Sequence, residues 1–119
     1  MATKSIVREN SDVFVCVDGK MSHIKIEDII YVEHNSRAVF LYTVNGVIGI
    51  PYMTLNGIYH ILGKDYLFQC HKSYLVNRIH IESIDRTGNC IILKNYPGTV
   101  SVGRKYKGGL LREMHYLPS

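Results

Sequence analysis

Several features are scarce in this 119-residue chain, and each scarcity removes a class of protein. No apolar run approaches the roughly 20 residues of a membrane-spanning helix. No hydrophobic signal region follows Met1-Ala2-Thr3-Lys4-Ser5, so the expectation is a cytoplasmic protein without membrane contact. The three cysteines (Cys16, Cys70, Cys90) cannot all pair and form no CxxC; each lies in an apolar or alternating setting, which predicts free, buried thiols in a reducing compartment. Long helical stripes are nearly absent, and there is no internal linker, repeat or low-complexity segment.

Catalytic constellations are missing as well. The histidines at 23, 34, 60, 71, 80 and 115 are scattered, with no HxH or HExxH spacing. Residues 61–119 hold only Asp65, Glu82, Asp85 and Glu113, too dispersed for a two-metal site. Cys70 and His71 are adjacent in a strand-like run and would point to opposite faces, which spoils them as a dyad. The chain is therefore read as a non-enzyme without metal or cofactor.

What is present is 46% hydrophobic residues, enough for one ordinary core, and an uneven charge. Residues 1–60 carry five Lys/Arg against six Asp/Glu, whereas residues 61–119 carry nine against four, so the net +4 is concentrated in the second half. Such asymmetry suits a face turned toward a polyanion, and a merely solvated basic face is its rival.

Period-2 alternation dominates the chain. Val13, Val15 and Val17 alternate with Phe14, Cys16 and Asp18 before a turn at Asp18-Gly19, and Ile24 and Ile26 alternate with His23 and Lys25. Ile29 to Val32 reads as a more buried strand ending at Glu33, followed by a polar turn His34-Asn35-Ser36-Arg37 and the β-branched, aromatic run Ala38 to Val44. Asn45-Gly46 predicts a type I′ hairpin with positive φ at both positions, returning through Val47 to Ile50. Thr54 caps an expected short helix that carries Leu55, Ile58 and Leu62 on one face and ends at Gly63. Leu67–Cys70, Ile79–Ile84, Cys90–Lys94 and Thr99–Val102 read as strands, with turns at Thr87-Gly88-Asn89 and Asn95 to Gly98. A last helix begins near Arg104 and runs toward His115 despite Gly108-Gly109. The predicted architecture is mostly β, with residues 1–12 a tail or linker remnant, 13–115 the domain and 116–119 a tail.

The most informative stretch is Phe68 to Arg78, where apolar residues bracket the compact polar run His71-Lys72-Ser73. A short donor-rich loop between strands can present side chains to phosphates or base edges. The whole stretch resembles the F-x-x-H-x-S-x-x-V-N core of LytTR-type DNA-binding domains, the output modules of many bacterial response regulators, and Ile81 and Ile84 match the I-x-x-I that follows it. The segments Glu27–Glu33, Thr54–Leu62 and Val100–Tyr106 resemble the family's early strand, short helix and closing element in the right order.

The resemblance implies about ten short strands in stacked antiparallel sheets with one or two short helices. It also implies a domain that places loops, rather than a recognition helix, in the major grooves of double-stranded DNA. Three segments correspond to the family's contacting loops: His34-Asn35-Ser36-Arg37-Ala38, His71-Lys72-Ser73 and Gly103-Arg104-Lys105. Within them Arg37 and Arg104 suit bidentate bonds to guanine or phosphate, Asn35 an adenine edge, and Lys72, Lys105 and the nearby Lys107 phosphate charge. Gly103 stands where many members carry an arginine, so either Arg104 takes that contact or the loop shifts. The family commonly binds direct repeats with two protomers, which implies a monomer in isolation. A receiver domain usually precedes the module, so the chain is expected to be a stand-alone regulator or the C-terminal part of a longer one.

The same residues admit other roles. His71 and Asn77 suit structural bonding that fixes the loop, and Ser73 suits either phosphate contact or a cap. Tyr31, Tyr42 and Tyr66 read as core or sheet-face aromatics, while Tyr74 and Tyr106 lie beside the basic segments. The alternatives to duplex DNA are a small β-domain binding RNA or single strands, and a protein-interaction module.

Overall fold

The computed structural model describes residues 3–85, 87 and 89–114. Three antiparallel sheets form an elongated body of 51 × 25 × 24 Å. The first sheet contains β1 (Lys4–Glu9), β2 (Asp12–Val17) and β3 (Lys20–Lys25) in sequential order. The central sheet contains β4 (Ile29–Asn35), β5 (Ala38–Thr43), β6 (Gly46–Pro51), β7 (Leu67–His71) and β8 (Tyr74–Asn77), ordered β6-β5-β4-β8-β7. The third has β9 (Ile81–Ile84), β10 (Cys90–Leu93) and β11 (Thr99–Ser101) in the order β11-β10-β9. Helix α1 (Leu55–Leu62) joins β6 to β7, and α2 (Arg104–Glu113) follows β11.

Both faces of the central sheet are covered, so its strands serve two cores. One core takes Val13, Val15 and Ile26 from the first layer, Val32, Leu41 and Leu75 from the central sheet, and Leu55, Ile58 and Leu62 from α1. The other takes Ile30, Cys70 and Val76 from the central sheet, Ile91, Leu93 and Val100 from the third sheet, and Leu110 from α2. Neighbours Leu75 and Val76 are both fully buried because strand alternation sends them to opposite faces. Helix α1 matches its sequence signals: Thr54 Oγ1 accepts from Gly57 N–H at 2.9 Å, and Gly63 leaves the helix at φ +86°.

Several expectations change. Residues 1–12 are not simply a tail: Lys4–Glu9 pairs in full register with β2, from Lys4↔Val17 to Glu9↔Asp12. Arg8 ties this strand to the body through Asp65 at 2.8 Å and the carbonyl of Leu62. Strand β4 continues through His34 and Asn35, so the four-residue polar turn shrinks to Ser36-Arg37, both at positive φ, with Asn35 opposite Ala38. The hairpin at Asn45-Gly46 is not type I′. Thr43 pairs with Gly46, Val44-Asn45 form the tip, and only Gly46 has positive φ, while Thr43 Oγ1 accepts from Asn45 N–H at 3.1 Å. Paired positive φ occurs instead at Asp18-Gly19 and Ser36-Arg37.

Tyr74–Asn77, to which the sequence assigns no element, is a strand, and Ile79-His80, expected to open the next strand, lie in the 3-10 turn Arg78–His80. Helix α2 is described to Glu113; His115, Gly88 and the tail at 116–119 lie outside the described residues. All three cysteines are free, but only Cys70 is fully buried, with Cys16 and Cys90 half-buried. Burial pushes the Cys70 thiol up to about 12.

Candidate nucleic-acid interface

Strand register brings the three predicted segments to one end of the central sheet. Glu33 pairs with Tyr74, so the β4–β5 turn and the β7–β8 turn project from the same edge. His34 N–H donates to Ser73 C=O at 2.9 Å and locks the two together. Gly103 N–H donates to Cys70 C=O at 2.8 Å and docks the start of α2 beside them. The two hairpins are neighbours in the sheet, so at ordinary strand spacing their turns are expected about 10 Å apart, within the roughly 12 Å width of a B-DNA major groove.

His71, Lys72, Gly103, Arg104, Lys105 and Tyr106 line a shared open cleft of about 210 Å³. Ser36 and Arg37 are exposed on the neighbouring turn, with Asn35 exposed and His34 half-buried at the end of β4; none of these four lines the cleft. Lys107 is half-buried in α2 and lies outside the cleft too. Arg104 and Lys105 form the first turn of α2 rather than a loop. That turn has no acidic residue and no side-chain cap, so its free N–H groups add to the positive potential.

The beds beneath these side chains are well bonded. Ser73 N–H donates to His71 Nδ1 at 3.0 Å, so a neutral His71 carries its proton on Nε2. His71 thus fixes the turn, and its Nε2 remains without a partner among the described residues. The ring also packs on Tyr74 at 4.9 Å. Tyr74 and Tyr42 direct their hydroxyls to the two oxygens of Glu33, at 3.4 and 3.1 Å. Burial, followed by the Glu33 charge, holds the Tyr74 phenol above its ordinary range. At the far end of β8, buried Asn77 donates to Ile29 C=O at 2.8 Å and Ile26 C=O at 3.3 Å and accepts from Ile79 N–H at 3.2 Å. Asn77 is a structural clamp and takes no part in the surface.

Gly103 has an ordinary φ of −75°, so its role is spatial. A Cβ there would meet Tyr106 Cδ2 at 3.1 Å and His71 Cδ2 at 3.5 Å. The tight fit makes Arg104 the first residue of this segment with a side chain to offer.

None of the ion pairs among the described residues involves these segments, although Lys20, Lys64, Lys94 and Arg112 outside them are unpaired too. Arg8 is paired with Asp65, Lys25 with Asp12 and Arg78 with Glu113. Arg37, Lys72, Arg104, Lys105 and Lys107 have no carboxylate partner among the described residues. Backbone strain is segregated. Of the six non-glycine residues at positive φ among the described residues, Asn10, Asp18 and Asn95 are the types that tolerate it; the other three, Ser36, Arg37 and Tyr52, all lie at this end of the central sheet. Tyr52, absent from the sequence-based expectations, is 70% exposed. A residue's φ leaves no trace in composition or periodicity, so the only signal was an aromatic directly after a strand-ending proline.

No helix among the described residues is long and apolar enough to cross a membrane, and no group of three potential metal ligands occurs among them. A profile of the LytTr DNA-binding domain matches residues 19–114. The transcriptional regulatory protein YpdB of Escherichia coli O6:H1 is 28% identical over 81 residues, 68% of this chain. The chain spans about a third of that curated relative, 33% of its length. Among solved structures, the LytTr DNA-binding domain of a methyl-accepting/DNA response regulator from Bacillus cereus superposes with a TM-score of 0.69. That likeness covers 94% of this chain and 96% of the other at 18% identity, a likeness of fold.

Proposed function

We propose, from the premise that this chain belongs to the LytTr DNA-binding domain family, that it is the sequence-specific, duplex-reading part of a bacterial transcriptional regulator. The observation that carries this reading is the gathering of five unpaired cations at the end where two hairpin turns and the start of α2 meet. Lys72, Arg104, Lys105 and Lys107 dock and orient the domain on phosphates with Arg37 adding its charge beside them, and Asn35, Arg37, Lys72 and Arg104 read base edges. Ser73, His71, His34 and Ser36 set the shape of the turns and supply further donors.

Two copies on directly repeated half-sites, each a monomer in solution, fit a site that needs no symmetric protein contact. Action in the cytoplasm, and a receiver domain elsewhere in the full protein, belong to the same proposal. The single-strand alternative loses four of its candidate rings, because Tyr31, Tyr42, Tyr74 and Tyr96 pack on one another, and keeps Tyr52 and Tyr106. Selection from random duplex DNA, followed by anisotropy on the enriched site, tests the proposal. Two spaced direct repeats are expected. Equal binding of every polyanion, or preference for an unpaired strand, would overturn it.

A further inference from the structure

Outside the three segments, one exposed side chain at the same end is held in a costly conformation. Tyr52 follows Pro51, the residue of β6 that pairs with Ala38 beside the Ser36-Arg37 turn. Its φ is +51°, a region a bulky L-residue avoids, and its side chain is 70% exposed, so no burial of the ring offsets that strain. The support comes from another sheet. Lys4 Nζ donates to Pro51 C=O at 2.9 Å and to Tyr52 C=O, and its ammonium lies 6.0 Å from the Tyr52 ring centroid. Lys4 sits in β1, ahead of residues 19–114, the part that matches the family profile. The N-terminal strand of this chain thus props up a residue within the matched region.

Strain that surrounding structure maintains at an exposed aromatic points to a contact with a partner. The partner in reach is the one proposed for the neighbouring turn. We infer that Tyr52, positioned by Lys4, forms a fourth contact to duplex DNA on the sugar-phosphate backbone flanking the bases read by the Ser36-Arg37 turn. The phenol hydroxyl donates to a phosphate oxygen and the ring lies against deoxyribose. Lys4 acts as a positioning residue: its bonds to two consecutive carbonyls hold the backbone that projects the ring. The inference rests on the duplex-binding reading and extends its footprint by one backbone contact.

The test uses the full chain and the selected duplex, by anisotropy across a salt series. Tyr52→Phe, which keeps the ring, should lose about tenfold in affinity, as expected for one hydrogen bond to a charged group. Tyr52→Ala should lose at least as much. Because phenol is neutral, neither should change the salt slope. Lys4→Met should weaken binding similarly, and the double variant Lys4→Met/Tyr52→Ala should be no weaker than Tyr52→Ala alone. On a duplex trimmed at that flank, the parent should fall to the level of Tyr52→Phe. Parent-like binding by both Tyr52 variants, with Arg104→Ala still weakening the complex, would overturn this inference alone. So would a loss confined to Lys4→Met with a shallower slope, since that would make Lys4 the phosphate ligand. A parent that binds no duplex specifically would overturn the underlying reading with it.

Discussion

The number of unpaired cations at the reading end sets the salt dependence of binding. If Arg37, Lys72, Arg104, Lys105 and Lys107 each neutralise one phosphate, log K should fall against log salt with a slope of about −4.5, at about 0.9 per phosphate. Removing one of them, Lys105→Ala, should leave a slope of about −3.6 and weaken all duplexes alike. Lys25→Ala is the matched control. It removes the same formal charge, but from a lysine 2.6 Å from Asp12 in the first sheet. Its slope should stay at the parental value, which separates counterion release at a contact from the effect of net charge. Arg104→Ala should lower the slope as well, and relax the preference at one base position at a cost of about 1–3 kcal/mol. Anisotropy titrations of parent and variants, on the selected site and on a scrambled duplex, measure all of this. An unchanged slope in Lys105→Ala, or an equal change in Lys25→Ala, would place the DNA on another face.

Asn77→Ala removes three hydrogen bonds from a fully buried side chain, two to the Ile26 and Ile29 carbonyls and one from the Ile79 N–H, which should destabilise the domain by about 3 kcal/mol in urea unfolding. A loss below about 1 kcal/mol would contradict the clamp role. Acid should weaken the fold through Asp12 and Asp65. Hydrogen bonds from Lys25 and then His23 lower the Asp12 pKa, and the Arg8 hydrogen bond lowers that of Asp65. Folded-state values below the unfolded ones stabilise fully above the ordinary carboxyl range and lose that effect as pH falls through the lowered values. Asp12→Asn and Asp65→Asn should therefore flatten the acid limb of the stability profile in thermal melts. Cys70, with its thiol raised to about 12 and its side chain fully buried, should resist alkylation at neutral pH until the protein is denatured, whereas half-buried Cys16 and Cys90 should label in the native state.

Much of the fold was legible because one-sided burial leaves a period of two. β2 alternates fully buried Val13 and Val15 with Phe14 and Cys16, and β5 buries Val39 and Leu41 in the same manner. The cap and stop of α1 were legible for a local reason, since both belong to single residues, Thr54 and Gly63. β8 was hidden because it is buried on both faces: Leu75, Val76 and Asn77 show no alternation, and four residues between polar flanks resemble loop. β1 was hidden for the opposite reason. Lys4, Ser5 and Val7 are exposed and only Ile6 and Arg8 turn inward, so charge masks the pattern. The Asn45-Gly46 signal was overridden by the Thr43 hydroxyl, which bonds across the turn and moves its tip back by one residue. At the candidate site, residue types could be read from the sequence, but their convergence could not, because it depends on the pairing of β4 with β8 and on one bond from Gly103 to Cys70.

The double coverage of the central sheet has a kinetic consequence. Opening the β7–β8 hairpin would expose Leu67 and Leu75 from one core and Cys70 and Val76 from the other, so its amides should exchange with solvent only near the global unfolding free energy. The turn that carries Lys72 is therefore ordered before any encounter, and little entropy is lost in fixing it on a target. Association then depends on diffusion and long-range attraction rather than on loop closure, and discrimination among sites falls to the dissociation step.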